Sequence, residues 1–124
     1  MYLVGRKARL DLVLDCSDAE QLMGFWRDAL GYRVYYSSES FAVLVPGAGN
    51  ASPLVLQRVP EPRVGKNRMH LDIVTDEIEP EVARLETLGA RRLHEGIRSV
   101  GETRWVTLAD PEGNEFCVCT GVEW

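Results

Sequence analysis

The chain has 124 residues, 45% of them hydrophobic and 27% charged, enough for one globular domain to bury a core without disulfides or a structural metal. Its formal charge of −5 argues against nucleic acid as the main partner. No run approaches the roughly 18 apolar residues of a membrane span, and the opening MYLVGRKARL lacks the apolar centre of a signal peptide. Three cysteines without CxxC spacing suit a reducing compartment, so a cytoplasmic protein with no membrane partner is expected.

In chain order, Leu10, Leu12 and Leu14 alternate with Asp11, Val13 and Asp15, the pattern of a strand with one apolar face. Ser17 and Glu20 have the spacing of a capping box, and Leu22, Phe25, Trp26, Ala29 and Leu30 share one stripe of the helix that follows, which Gly31 closes. Strand-like runs come next: YRVYY from Tyr32, FAVLV from Phe41 and PLVLQ from Pro53. RVPEPRVGKN reads as a linker. Beyond it Met69, Leu71 and Ile73 alternate with His70, Asp72 and Val74, Asp76 and Glu79 repeat the cap spacing, and Ile78, Val82, Leu85 and Leu88 form a second stripe that ends at Gly89. The runs RRLHE from Arg91, RWVTL from Arg104 and EFCVC from Glu115 complete the chain, with the turn sequences PGAGN and DPEGN in corresponding places.

The two halves repeat one another. RLDLVLDCSD at Arg9 to Asp18 aligns without gaps with RMHLDIVTDE at Arg68 to Glu77, an offset of 59 residues that sets His70 where the first copy has Asp11. ALGYRV from Ala29 is echoed by TLGARR from Thr87. An α+β fold of two βαβββ modules is therefore expected within one domain of residues 1–124: module 1 at about 8–58, a linker at about 59–67 and module 2 at about 68–120.

Strand alternation also orients side chains. If Leu10, Leu12 and Leu14 face the helix, Asp11 and Val13 face away from it, as do Arg68, His70 and Asp72 in the second copy. By the same reasoning Val55 and Gln57 turn from the helix side, as do Trp105 with Thr103 and Thr107, and Glu115 with Cys117 and Cys119. Burying such groups unpaired would cost roughly 2 to 7 kcal/mol each, so these faces read as a binding surface rather than core. Simpler roles stand beside this one. His70 suits an oriented hydrogen-bonding group paired with Asp11, Cys117 and Cys16 suit packing, and Trp26 suits core. Arg58, Arg63, Lys66 and Arg68 make the linker region locally basic, and Arg68, on the face of His70, could hold a carboxylate through two parallel hydrogen bonds.

FWRDALGY on the first helix, HLDI opening the fifth strand and DPEGNEF before the last, with LQRVPEP and KNRMHLDI between, resemble the glyoxalase, bleomycin-resistance and extradiol-dioxygenase (vicinal oxygen chelate) superfamily, and within it the glyoxalase-like domains. The resemblance implies that each module curls its sheet into half a cup and that two modules, often from different chains, enclose a pocket, hence a homodimer. It also implies four symmetry-related ligand positions, which fall here on Asp11, Gln57, His70 and Cys117, the last placed by the DPxGxxxE spacing counted from Gly113. Only His70 keeps the residue type typical of the family. Three readings follow. One is a metal-assisted lyase, isomerase or dioxygenase with a divalent ion on Asp11, His70 and Cys117. The others are a metal-free enzyme in which Asp11 or His70 moves a proton, and a binding protein like the bleomycin-resistance members. The altered ligand set favours the last two, with no metal required. The expected partner is a small oxygen-rich, partly anionic metabolite or antibiotic, contacted by Gln57, Arg68, Trp105, Glu115 and Cys117.

Overall fold

The computed structural model describes residues 11–47, 51–62, 64–65 and 70–120. Expectations that rest on Leu10, Arg63, Lys66, Arg68 and Met69 lie outside the described residues. The chain divides into two compact units, residues 1–62 and 63–124. Among the described residues no helix is long and apolar enough to cross a membrane.

In the first unit the order is β1 (Leu12–Cys16), α1 (Ala19–Leu30), β2 (Arg33–Ser37), β3 (Phe41–Val45) and β4 (Leu54–Arg58). The sheet runs β1-β4-β3-β2, with β1 parallel to β4 and the remaining pairs antiparallel. Because β1 joins β4 and not its successor, α1 and the β2–β3 hairpin form the crossover that parallel pairing requires. The apolar stripe of α1 explains its docking: Leu22, Phe25, Trp26 and Ala29 are buried, as are Ala42, Leu44, Leu54 and Leu56 on β3 and β4. Phe25 meets Trp26 edge-on with ring centroids 5.1 Å apart.

The cap of α1 differs from the expected one. Asp18, in extended geometry, is the N-cap, and its Oδ1 accepts the Gln21 backbone N–H at 3.1 Å. Ser17 and Glu20 do not form the cap because β1 runs through Cys16 and leaves the turn one residue later, and a carboxylate suits the positive end of the helix. At the other end Gly31 takes φ 66°, left-handed geometry in which its N–H reaches the Arg27 carbonyl.

The second unit contains β5 (Leu71–Val74), α2 (Ile78–Leu88), β6 (Arg91–Arg92), β7 (Arg98–Val100), β8 (Thr103–Ala109) and β9 (Glu115–Cys119). Its sheet runs β5-β9-β8-β6, with β7 also on β8, and β5 lies parallel to β9. Ile78, Val82 and Leu85 of α2 are buried, as are Val106, Leu108, Phe116 and Val118 of the sheet. The second expected cap fails as well: Glu77 is the N-cap and makes no side-chain cap bond, while Thr75 Oγ1 accepts the Glu77 N–H at 3.1 Å.

The expected run RRLHE is strand only over β6, and a further strand not expected from the sequence, β7, follows it. Arg92 pairs with Leu108, but Arg98 pairs with Trp105, so three more residues advance on this side than on β8. The excess is a bulge around His94 to Ile97 in which a side chain substitutes for backbone: the Thr107 N–H donates to His94 Nε2 at 3.0 Å. Arg92 fastens the bulge by donating to the carbonyls of His94 and Gly96, both at 3.0 Å, and to the Glu79 carboxylate on α2. Past the bulge, Gly101 at φ 60° and Glu102 make a two-residue hairpin turn between Val100 and Thr103, with the glycine-first pattern of a type II′ turn.

DPEGN is a self-satisfied turn. Asp110 is 3% exposed, and its Oδ1 accepts the backbone N–H groups of Glu112 and Asn114, each at 2.9 Å, while the Asn114 carboxamide donates to both carboxylate oxygens. Gly113 takes φ 86°. The turn sets where β9 starts, and therefore which residues of β9 face away from α2.

Candidate functional site

The face of the second sheet opposite Val106, Leu108, Phe116 and Val118 carries a hollow of about 410 Å³, with His70, Asp72, Arg98, Trp105, Glu115 and Cys117 among its walls. Register explains the grouping, because residues paired across neighbouring strands share a face. Asp72 lies beside Cys117, and Cys117 beside Thr107; one step along, Val74 lies beside Cys119, Cys119 beside Trp105, and Trp105 beside Arg98. His70, just before β5, is two residues from Asp72 and so projects to the same side.

Two of these groups touch. His70 Nε2 is 3.1 Å from Asp72 Oδ1, and both side chains are half exposed. In the neutral ring this contact places the proton on Nε2 and leaves Nδ1 as the acceptor, so Asp72 fixes both tautomer and ring orientation. Cys117 Sγ stands 3.7 Å from Thr107 Oγ1. Burial, with smaller contributions from Asp72 and Cys117, pushes the Cys119 thiol above its usual pKa. Cys119 therefore holds its proton as a wall of the hollow.

The donor atoms of His70, Asp72 and Cys117 all lie within 4.8 Å of one another. Nitrogen, oxygen and sulfur donors grouped on one open side fit a zinc or iron(II) ion that keeps a position for water or ligand. An ion there would replace the His70–Asp72 hydrogen bond, so the cluster has two alternative uses.

Of the residues singled out in the sequence, His70, Trp105, Glu115 and Cys117 share this hollow. Asp11 and Gln57 belong to the first unit. Asp11 is half-buried just before β1 with Oδ1 shielded from solvent, and Gln57 is half-buried on β4 beside Asp15. Arg68 lies outside the described residues. The metal set implied by the resemblance was Asp11, His70 and Cys117; within the second unit Asp72 stands with His70 and Cys117, and its alternation with Leu71 and Ile73 was the available signal. Arg98 was missed because GIRSVGE reads as loop until the Gly101 turn is paired across it.

A repeated strand–helix–strand unit, with its first and last strands parallel in each copy, defines a small α+β protein of two sheets and two helices. The glyoxalase-like domain family matches residues 11–119, and the chain belongs to that family. Comparison with curated proteins gives no significant match. Among solved structures, the chain is similar to a glyoxalase/bleomycin resistance protein/dioxygenase family enzyme from Burkholderia phytofirmans PsJN at 17% identity and TM-score 0.75, covering 91% of this chain and 100% of that one. It is similar to the fosfomycin resistance protein FosX from Listeria monocytogenes, complexed with Mn(II) and sulfate, at 17% identity and TM-score 0.73, covering 94% and 91%. It also resembles lactoylglutathione lyase from Agrobacterium tumefaciens at 18% identity and TM-score 0.67, covering 93% and 94%. At these identities the likeness shows the fold.

Proposed function

We propose that this protein binds, and where the ligand allows transforms, a small oxygen-rich molecule in the hollow of its second unit, with no obligatory metal. The observation that carries the reading is the His70–Asp72 contact at 3.1 Å beside Cys117. A carboxylate-oriented imidazole with an open Nδ1 can accept a proton from a ligand hydroxyl or from a carbon next to a carbonyl, and can return it. Trp105, Glu115 and Cys117 contact the ligand in this proposal, while Asp11 and Gln57 are polar positions of the first unit. The solved neighbours whose names refer to fosfomycin resistance and lactoylglutathione support a compact, oxygen-bearing ligand class.

The test is a screen of small hydroxy, keto and epoxy acids against the native protein and His70→Ala, following both binding and product formation. Loss of binding or turnover in the variant at an unchanged melting temperature supports the reading. Equal behaviour of the two proteins removes His70 from it.

A second reading rests on the three donors within 4.8 Å. Here His70, Asp72 and Cys117 hold a divalent ion that supplies Lewis-acid polarisation of adjacent ligand oxygens. The structural neighbour complexed with Mn(II) supports it. The protein is further proposed to be a single-domain cytoplasmic homodimer.

A further inference from the structure

We propose that Arg98 and Trp105 form the recognition end of the hollow, and that its ligand is a planar aromatic carboxylate lying on the indole with its carboxylate on the guanidinium. This rests on the hollow being the ligand site and goes further by naming the ligand class. Arg98 and Trp105 are direct partners across the β7–β8 pair, so their Cβ atoms are about 5 Å apart on one face. Both line the hollow.

Among the described residues Arg98 is the arginine that lines the hollow, and like Arg33, Arg91 and Arg104 it has no carboxylate partner. Arg27, Arg58, Arg84 and Arg92 are each held by a carboxylate. Among the described residues no hydrogen bond or ion pair engages the Arg98 side chain, although Asp72 and Glu115 line the same hollow. Sheet order explains the separation: β5 and β9 carry the acids, β8 intervenes, and β7 carries the cation. Three strand spacings put the backbone of Arg98 about 14 Å from that of β5. The charges are therefore polarised across the hollow, and a monoanion is drawn to the Arg98 end and turned away from Asp72 and Glu115.

The surface between the two ends selects shape. From Arg98 inward the row reads Trp105, Cys119 and Val74, with the Thr103 and Thr107 hydroxyls beside the indole. Among the described residues Trp105 is the one indole on this wall, and it is half-buried, so one of its surfaces is offered to the hollow. A flat ring gains contact there that a puckered ring of equal size does not. The guanidinium binds a carboxylate through two parallel hydrogen bonds, and the far edge of the ligand points toward His70, Asp72 and Cys117.

Calorimetric titration with 2-naphthoate, 2-naphthamide and the saturated decalin-2-carboxylate tests this directly, with the His70 imidazole signals followed by NMR. The proposal expects naphthoate to bind best. Arg98→Gln should weaken it about tenfold, to the level of the amide, while leaving the amide unchanged, and Arg98→Lys should recover part of the loss. Trp105→Leu should weaken both aromatic probes and leave decalin carboxylate unaltered. Naphthoate binding that is indifferent to Arg98→Gln, or amide and carboxylate of equal affinity, overturns the inference. If the His70 signals still move under those conditions, the hollow survives as a ligand site and only its ligand class is wrong. If no probe binds or moves those signals, this inference fails, and the wider acid screen against His70→Ala decides whether the hollow fails with it.

Discussion

Cys117 and Cys119 sit two residues apart on one face of β9, yet they differ chemically. Cys117 is half-buried, whereas Cys119 is 8% exposed and burial holds its thiol in the protonated form; Cys16, at 3% exposed, is buried at the end of β1. Because the thiolate is the nucleophile, iodoacetamide at pH 8 should label Cys117 first, with Cys16 and Cys119 following only as the protein opens. Peptide mass mapping against time checks the order, and a faster Cys119 would contradict the burial argument. The tryptophans divide in a similar way. Trp26 is 1% exposed, so Trp26→Ala should cost roughly 3 to 5 kcal/mol in a urea melt, while Trp105→Ala should cost much less. Side-chain direction was legible in the sequence because alternation fixes it, which is how Trp105 was assigned to the polar face. The grouping of Asp72 with His70 and Cys117 was not, since repeat symmetry pointed to Asp11 and only register shows which strands are neighbours.

At the scale of elements, apolar periodicity located both helices and most strands, but local hydrogen bonding decided the ends. The two capping-box spacings had equal claims in the sequence, and neither forms, because a cap depends on where the preceding strand releases the chain. The β6–β7 bulge was illegible for a related reason: His94 looks like a strand residue, but its ring occupies the position of a backbone acceptor. His94→Ala should therefore leave the Thr107 N–H without that acceptor and lower stability by about 1 to 2 kcal/mol in a chemical melt. A neutral result would show that water takes its place. On α2, the Arg84 guanidinium donates to both Glu81 carboxylate oxygens, at 2.7 and 2.8 Å, and holds that carboxyl below the usual carboxylate range. A depressed folded-state pKa gives stability that is present above the unfolded value and lost as pH falls through the folded one. Arg84→Ala should thus cost about 0.3 to 0.5 kcal/mol at pH 7, the usual worth of an exposed helical pair, and lose that effect once the pH drops below the Glu81 pKa.

At the scale of the whole molecule, the two sheets present different faces. In the first unit Val13, Val55, Val43 and Tyr36 form a single row across four strands, and Val13 and Tyr36 are 58% and 54% exposed. In the second unit the row containing Asp72, Cys117 and Thr107 is polar. An apolar face of that breadth supports the proposed homodimer, since a second copy would remove it from water. Light scattering at micromolar concentration should give twice the monomer mass, and a monomer mass would end that proposal. The polar face governs the question of metal. Stability rests on the buried residues beneath α1 and α2, none of which belongs to the His70–Asp72–Cys117 group, so folding should not depend on an ion there. Any ion present would be held by half-exposed donors and should exchange readily. Elemental analysis of protein purified without chelator, with thermal melts in the presence and absence of EDTA, separates the two uses of the cluster. The expected outcome is substoichiometric metal and an unchanged melting temperature. A stoichiometric metal that is lost in both His70→Ala and Asp72→Ala, with a sharp fall in melting temperature on chelation, would instead establish the metal-holding reading and make the orienting role of Asp72 secondary to its role as a ligand.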